Sequence, residues 1–189
     1  MESAGNGSGV RRSKMSEPPP YQILPLNAAV HDRADFDCGE APLNRYLREQ
    51  ASQDIKRKVA GCWVLVSSDN PKAVLAFYTL STEVVDMKEL GIADPDAAKR
   101  LPRYPRLGAV LLGRLAVARS AQKQGLGELL LFDAMHRTLS APIPAALMVT
   151  DPKDATAAAF YRKYGFKPLN PERLFMTARQ LQVILGKRD

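Results

Sequence analysis

The chain has 189 residues and a mass of 20.8 kDa, with 46% apolar and 25% charged residues, the profile of one ordinary globular domain. At this length roughly 70% of the unfolded surface is buried on folding, so neither a disulfide framework nor a structural metal is needed. An excess of 27 Lys and Arg over 20 Asp and Glu gives a formal charge of +7 and a pI near 9.5, which favours an anionic partner, either nucleic acid or a phosphorylated cofactor. Cys38 and Cys62 stand far apart and His31 and His136 are unclustered, which excludes zinc-finger and C-x-x-C redox motifs and fits a reducing compartment, the cytoplasm. No apolar run near the start has the make-up of a secretion signal. The most apolar stretch, residues 109–118, is broken by Arg114 and is shorter than the roughly 20 residues of a membrane span, so no membrane partner is expected.

Residues 1–20 carry three glycines, four serines, Arg11, Arg12, Lys14 and a closing Pro18-Pro19-Pro20, too little apolar surface to order themselves. They read as a disordered leader, with Met15 as an alternative start, ahead of a single domain over residues 21–189. A first strand is predicted over 21–26. Residues 42–58 place Leu43, Leu47, Ala51 and Ile55 on one face of a helix that Pro42 opens. Residues 62–66 and 73–85 read as antiparallel strands joined by the turn Ser67-Ser68-Asp69-Asn70-Pro71. A short helix over 94–100, a strand over 107–117, a long helix over 122–139 and a buried strand over 145–150 follow. Asp154 is a plausible N-cap for a helix ending at Tyr164, which Gly165 closes in a left-handed conformation. Residues 173–177 read as a strand and 178–185 as a closing helix or strand. No segment repeats, so the class is α/β.

The segment from Leu115 to Leu131 is a strand, a polar glycine-bearing turn and an apolar helix. Such a turn aims several backbone N–H groups at one spot, and the helix start adds about half a positive charge, which suits a pyrophosphate; Lys123 adds a cation at the rim. The P-loop spacing and the three-glycine dinucleotide fingerprint are both absent. The plainer reading is that two glycines two apart only make a tight turn. The spacing present, Gln122-Lys123-Gln124-Gly125-Leu126-Gly127, fits the Q/R-x-x-G-x-G/A pattern of acetyl-coenzyme A binding in the GNAT N-acetyltransferases, and the sequence resembles that family. The preceding L-G-R-L-A-V strand and the later A-A-A-F-Y-R-K-Y-G-F segment fall in the family's order. The resemblance implies a mixed α/β fold: a mostly antiparallel twisted sheet of about six to seven strands flanked by about four helices.

Over roughly residues 21–180, the segments F-D-C-G-E-A-P-L-N-R-Y-L, V-L-A-F-Y-T-L-S, L-L-G-R-L-A-V and F-Y-R-K-Y-G-F look like the GNAT toxins of bacterial toxin–antitoxin pairs. Ala118, where those toxins usually carry Asp, and Val149-Thr150-Asp151-Pro152 depart from their pattern. The resemblance implies acetylation of the α-amino group of aminoacyl-tRNA, a ribbon-helix-helix antitoxin, operator DNA bound only through that antitoxin, and a homodimer. It implies acetyl-CoA as co-substrate and no metal. The backbone of Leu115, Ala116 and Val117 would face the acetyl carbonyl, with Gln122, Lys123, Gln124, Gly125, Leu126, Gly127, Glu128 and Thr150 completing the cofactor site. Tyr161 is placed as the general acid that reprotonates the departing thiolate, whereas from spacing alone Tyr161, Phe160 and Tyr164 read as core aromatics; Tyr164 stays in that reading.

No histidine falls in a catalytic segment, and an α-amino group, with a pKa near 7.7 against about 10.4 for lysine, needs no strong base. Lys56 and Arg57, with Lys58, Arg45 and Arg48, and the pair Arg162 and Lys163, could contact RNA phosphates; so could Arg103, Arg106 and Arg114, on or near the strand leading to the site. For each of these a solvated surface is the plainer reading. Two rivals remain open: a GNAT enzyme acting on a protein N-terminus or a small amine, and a non-catalytic co-repressor that only binds acetyl-CoA.

Overall fold

The computed structural model describes residues 20–186; the expected leader and the choice of start fall outside these residues, Pro20 aside. The sheet has seven strands: β1 (Tyr21–Pro25), β2 (Gly61–Ser67), β3 (Ala76–Asp86), β4 (Arg106–Val117), β5 (Leu147–Thr150), β6 (Lys167–Pro168) and β7 (Leu174–Thr177). Their order across the sheet is β1-β2-β3-β4-β5-β7-β6, and every neighbouring pair is antiparallel except β4 with β5. Helices α1 (Ala41–Arg45), α2 (Ala51–Lys56), α3 (Met87–Ala93), α4 (Pro95–Lys99), α5 (Leu126–Ser140), α6 (Ala155–Lys163) and α7 (Ala178–Leu185) cover its two faces. The expected mixed, mostly antiparallel sheet is present, while the expected four helices become six when α1, the turn after it and α2 are taken as one run.

Burial follows from that layering. In β3, residues 76–80 are all buried because helices lie on both faces; from Ser81 to Val84 part-buried and exposed residues alternate, and Val85 is buried again. One face packs Leu65, Tyr78, Leu80 and Leu112 against Leu126, Leu130, Leu131, Ala134 and Met135 of α5, Tyr161 of α6 and Leu181 of α7. The opposite face carries two clusters. Val64, Phe77 and Ala116 pack under Tyr46, Leu47 and Ala51, and Val85, Leu107, Leu147 and Phe175 pack under Leu90 of α3.

Four local features differ from the sequence reading. The run predicted over 42–58 is interrupted by a π turn, Tyr46–Gln50, although Leu43, Leu47, Ala51 and Ile55 still share one cluster. The strand predicted over 73–85 starts only at Ala76, and Asp86 caps α3, which was not anticipated, by accepting from the Lys88 N–H at 2.8 Å. The two-residue strand β6 was also missed. Residues 178–185 form a helix, because Thr177 and Gln180 make a reciprocal capping box.

Candidate active site

Strands β4 and β5 pair from Ala109–Leu147 to Leu112–Thr150 and then part, since β5 ends while β4 continues to Val117. At the parting the register between β3 and β4 slips: Thr79 faces Arg114 and Leu80 faces Leu112, so Gly113 has no partner. An extra residue of this kind bends its strand and leaves its own backbone groups outside the ladder. Beyond the bulge, side chains alternate: Leu115 and Val117 pack on the α5 side, and Arg114 and Ala116 on the α1 side. The result is a gap with two separate sides.

The α5 side of the gap is closed by the loop after β4. A short 3-10 turn (Arg119–Ala121) leads to Lys123 with φ +64° and Gly125 with φ +79°. These left-handed residues cannot continue a helix, which is why α5 starts at Leu126 and not at 122 as the apolar pattern predicted. Gly125, having no side chain, caps α5 without a side-chain bond. Left-handed turns beside an uncapped helix start form an anion-binding concavity. A lysine held at φ +64° costs about 1 kcal/mol or more, a strain typical of ligand sites.

Polar struts fix the loop. The Gln122 amide donates to the carbonyls of Cys38 and Val117, each at 3.1 Å, the Arg119 N–H donates to Asp37 at 2.8 Å, and the Tyr21 hydroxyl donates to Gln124 at 3.2 Å. Of the residues expected to hold a cofactor, Gln122 therefore works as a brace, Lys123, Gln124 and Gly125 are exposed, Gly127 and Glu128 are half-buried and Leu126 is buried. Tyr164, expected only to pack, also donates from its hydroxyl to Glu128 at 2.8 Å, holding that carboxylate beside the α5 start. A Cβ at Gly125 would meet nothing within 4 Å, so Gly125→Ala costs only backbone strain. It is expected to lower stability by about 1 kcal/mol and to weaken acetyl-CoA binding. Urea unfolding and a binding titration check this, and no change in either would remove the role given to the left-handed turn.

Tyr161 stands at the other end of the gap. Asp154 caps α6 through the Ala157 N–H at 2.8 Å, and the left-handed Gly165, φ +96°, follows the helix as predicted. The Tyr161 ring is 6% exposed, edge-on to Phe160 at 5.2 Å and Phe166 at 5.6 Å. Its hydroxyl bonds to the side chain of Thr150, the last residue of β5. The Thr150 hydroxyl also donates to the Leu112 carbonyl at 2.9 Å. Thr150, expected among the cofactor residues, is buried beside Tyr161. Burial pushes the Tyr161 hydroxyl up to about 12, so the group is neutral and keeps its proton at physiological pH.

The basic candidates separate. Arg114 lies at the bulge, its guanidinium 3.6 Å from the centre of the Tyr46 ring. Lys56 and Arg57 are exposed at the end of α2, and Arg162 and Lys163 are exposed beside Tyr161 on α6. Arg106 opens β4, seven residues from Gly113 and therefore about 23 Å along the strand, so the structure does not bring it to the gap. Among the described residues no group of three His, Cys, Asp or Glu could hold a metal, and no helix is long and apolar enough to cross a membrane.

Residues 105–180, which carry the bulge, the loop and Tyr161, match the Acetyltransferase (GNAT) domain family. A tRNA-acetylating toxin of Mycobacterium tuberculosis is 29% identical over 161 residues, covering 82% of this chain and 91% of that protein. A probable toxin TacT of Sinorhizobium fredii is 24% identical, covering 87% of this chain and 94% of its own. Among solved structures, AtaT complexed with acetyl-methionyl-tRNA aligns with a TM-score of 0.79 at 29% identity over 87% of this chain and 98% of AtaT. A tyrosine-to-phenylalanine mutant of AtaT bound to acetyl-CoA and the C-terminus of its antitoxin AtaR aligns at 0.74 with 26% identity, over 88% of this chain and 98% of that one.

Proposed function

Because the chain belongs to the GNAT acetyltransferases and is homologous to the tRNA-acetylating toxins, we propose that it transfers the acetyl group of acetyl-CoA to the α-amino group of aminoacyl-tRNA and so blocks translation. One observation carries this reading. The anion-binding loop at Lys123 and Gly125 and the buried Tyr161 hydroxyl stand at the two ends of a single gap between β4 and β5.

Acetyl-CoA supplies an activated thioester. The loop N–H groups and the start of α5 hold its pyrophosphate, with Lys123 at the rim. Beyond Leu112, β4 has no β5 partner; the Ala118 N–H bonds back to Leu75, so by alternation Ala116 is spent on β3, and the backbone of Leu115 and the Val117 N–H face the open edge, free to pair with an extended amide-bearing arm and, near the bulge, to donate to the acetyl carbonyl. The acceptor enters from the α1 side. Its α-amino group, near pKa 7.7 in a free amino acid terminus and lower beside an ester, is largely neutral near pH 7.5 and loses its proton to solvent. Tyr161 donates a hydrogen bond to the departing sulfur. Burial makes the hydroxyl hold its proton tightly, so its contribution is hydrogen-bond donation, and the sulfur leaves as a thiolate that takes its proton from solvent. In this reading the exposed Lys56, Arg57, Arg162 and Lys163 meet RNA phosphates, and Arg106 meets the body of a large acceptor.

The same reading takes a ribbon-helix-helix antitoxin as partner, operator DNA bound through it, a homodimer, and the cytoplasm as the place of action. Added to a cell-free translation reaction, the protein is expected to stop synthesis only when acetyl-CoA is present. Unimpaired synthesis with acetyl-CoA, together with acetylation of a small amine, would replace aminoacyl-tRNA as the acceptor.

A further inference from the structure

Four arginines among the described residues are half-buried: Arg33, Arg114, Arg137 and Arg173. Three of them have polar partners. Arg33 donates to the Leu47 carbonyl at 3.0 Å and to Ser52 at 2.9 Å, Arg137 to Asp133 at 2.7 Å, and Arg173 to Asp151 at 2.6 and 2.8 Å and to Glu83 at 3.1 Å. No hydrogen bond or ion pair joins the Arg114 side chain to another described residue, and its guanidinium lies over the Tyr46 ring. No fully buried side-chain nitrogen among those residues lacks a partner, so the Arg114 nitrogens reach solvent, on the α1 side of the gap.

The platform under this guanidinium is rigid. Tyr46 is 3% exposed, its hydroxyl donates to Asp54 at 2.9 Å, and its ring stacks on Phe77 with centroids 6.3 Å apart. It opens the π turn, and Arg33 bonds the Leu47 carbonyl inside that turn. Stacking occupies one face of a guanidinium and leaves the N–H groups along its edge free, in the fork that matches two oxygens of a phosphate. An arginine already flat on an aromatic ring loses little freedom when it binds.

We propose that the Arg114 guanidinium, held on Tyr46 at the acceptor side of the gap, binds the phosphodiester that joins the last two nucleotides of the charged tRNA. The inference rests on the aminoacyl-tRNA reading given above. Length selects that linkage. From the α-nitrogen through the ester and the ribose to this phosphorus is about eight covalent bonds, roughly 9 Å when extended. From Gly113 to Arg114 is one Cα step of about 3.8 Å, and the arginine side chain adds about 6 Å. An amine at the bulge therefore sets this phosphate, and no later one, within reach of Arg114. Small amines and protein N-termini carry no phosphodiester at that distance, so the same contact separates a charged tRNA from other amines.

The test uses charged tRNA with its normal last linkage and the same tRNA with a neutral methylphosphonate at that one linkage. For the wild-type protein the neutral linkage is expected to lower kcat/KM about tenfold or more, through KM. Arg114→Gln is expected to use both substrates about equally, at the lower rate, with acetyl-CoA affinity unchanged, and Arg114→Lys is expected to keep part of the difference. A wild type indifferent to the neutral linkage overturns the proposal, and so does an Arg114→Gln protein as sensitive as the wild type. A wild type that acetylates neither substrate removes the aminoacyl-tRNA reading itself.

Discussion

Tyr161→Phe is expected to lower kcat by about 10²- to 10³-fold, the range lost when a positioned proton donor is removed, while acetyl-CoA still binds. The substitution removes one O–H and keeps the ring between Phe160 and Phe166. Thr150 keeps its bond to the Leu112 carbonyl, so the loss of stability is about 1 kcal/mol. The pH behaviour supplies a second readout. With the folded hydroxyl pushed from 10.0 up to about 12, the stability gained by keeping it neutral is complete below pH 10 and is lost as pH rises through about 12. The wild-type rate is therefore expected to rise as the substrate amine deprotonates and to show no fall from Tyr161 ionisation below pH 10. Steady-state rates and a thermal melt on both proteins decide this; an unchanged kcat would return Tyr161 to the core aromatics.

Gly127→Ala is expected to separate folding from function. A Cβ there would meet the Phe160 ring at 3.8 Å and Val117 at 3.9 Å, ordinary contact distances, so the protein itself leaves room for a methyl group. Alanine is up to about 1 kcal/mol better than glycine within a helix, so Tm is expected to stay level or rise. In the proposed function, however, the thioester arm passes through the space between Val117 and Phe160. A methyl group in it is expected to raise the KM for acetyl-CoA about tenfold to a hundredfold. If stability fell and KM did not, Gly127 would serve packing and the cofactor passage would lie elsewhere.

Legibility in the sequence depended on whether a local signal existed. Apolar runs and turn residues gave the main strands, Asp154 and Gly165 bounded α6, and the Gly125-Leu126-Gly127 spacing marked the loop. The start of α5 was misplaced because Gln122, Lys123 and Gln124 are good helix formers, and only the left-handed φ at Lys123 and Gly125 stops the helix short of them. Helix α3 was hidden because β3 runs straight into its cap at Asp86. The π turn left no trace, since Leu43, Leu47, Ala51 and Ile55 reach the same cluster with or without it. The place of Tyr161 on α6 was legible, but its contact with Thr150 joins segments that only the sheet brings together. For the same reason Tyr46 looked like any core aromatic: its partner Arg114 lies on β4, and nothing near either residue in the chain announces the contact.

The most direct measurement is to incubate the protein with acetyl-labelled acetyl-CoA and a total pool of charged tRNA. Label is expected in ribonuclease-sensitive material, and it is expected to disappear when the tRNA is deacylated beforehand, because the accepting amine belongs to the esterified amino acid. Label that persists after deacylation, or that enters only peptides or small amines, would contradict acetylation of aminoacyl-tRNA.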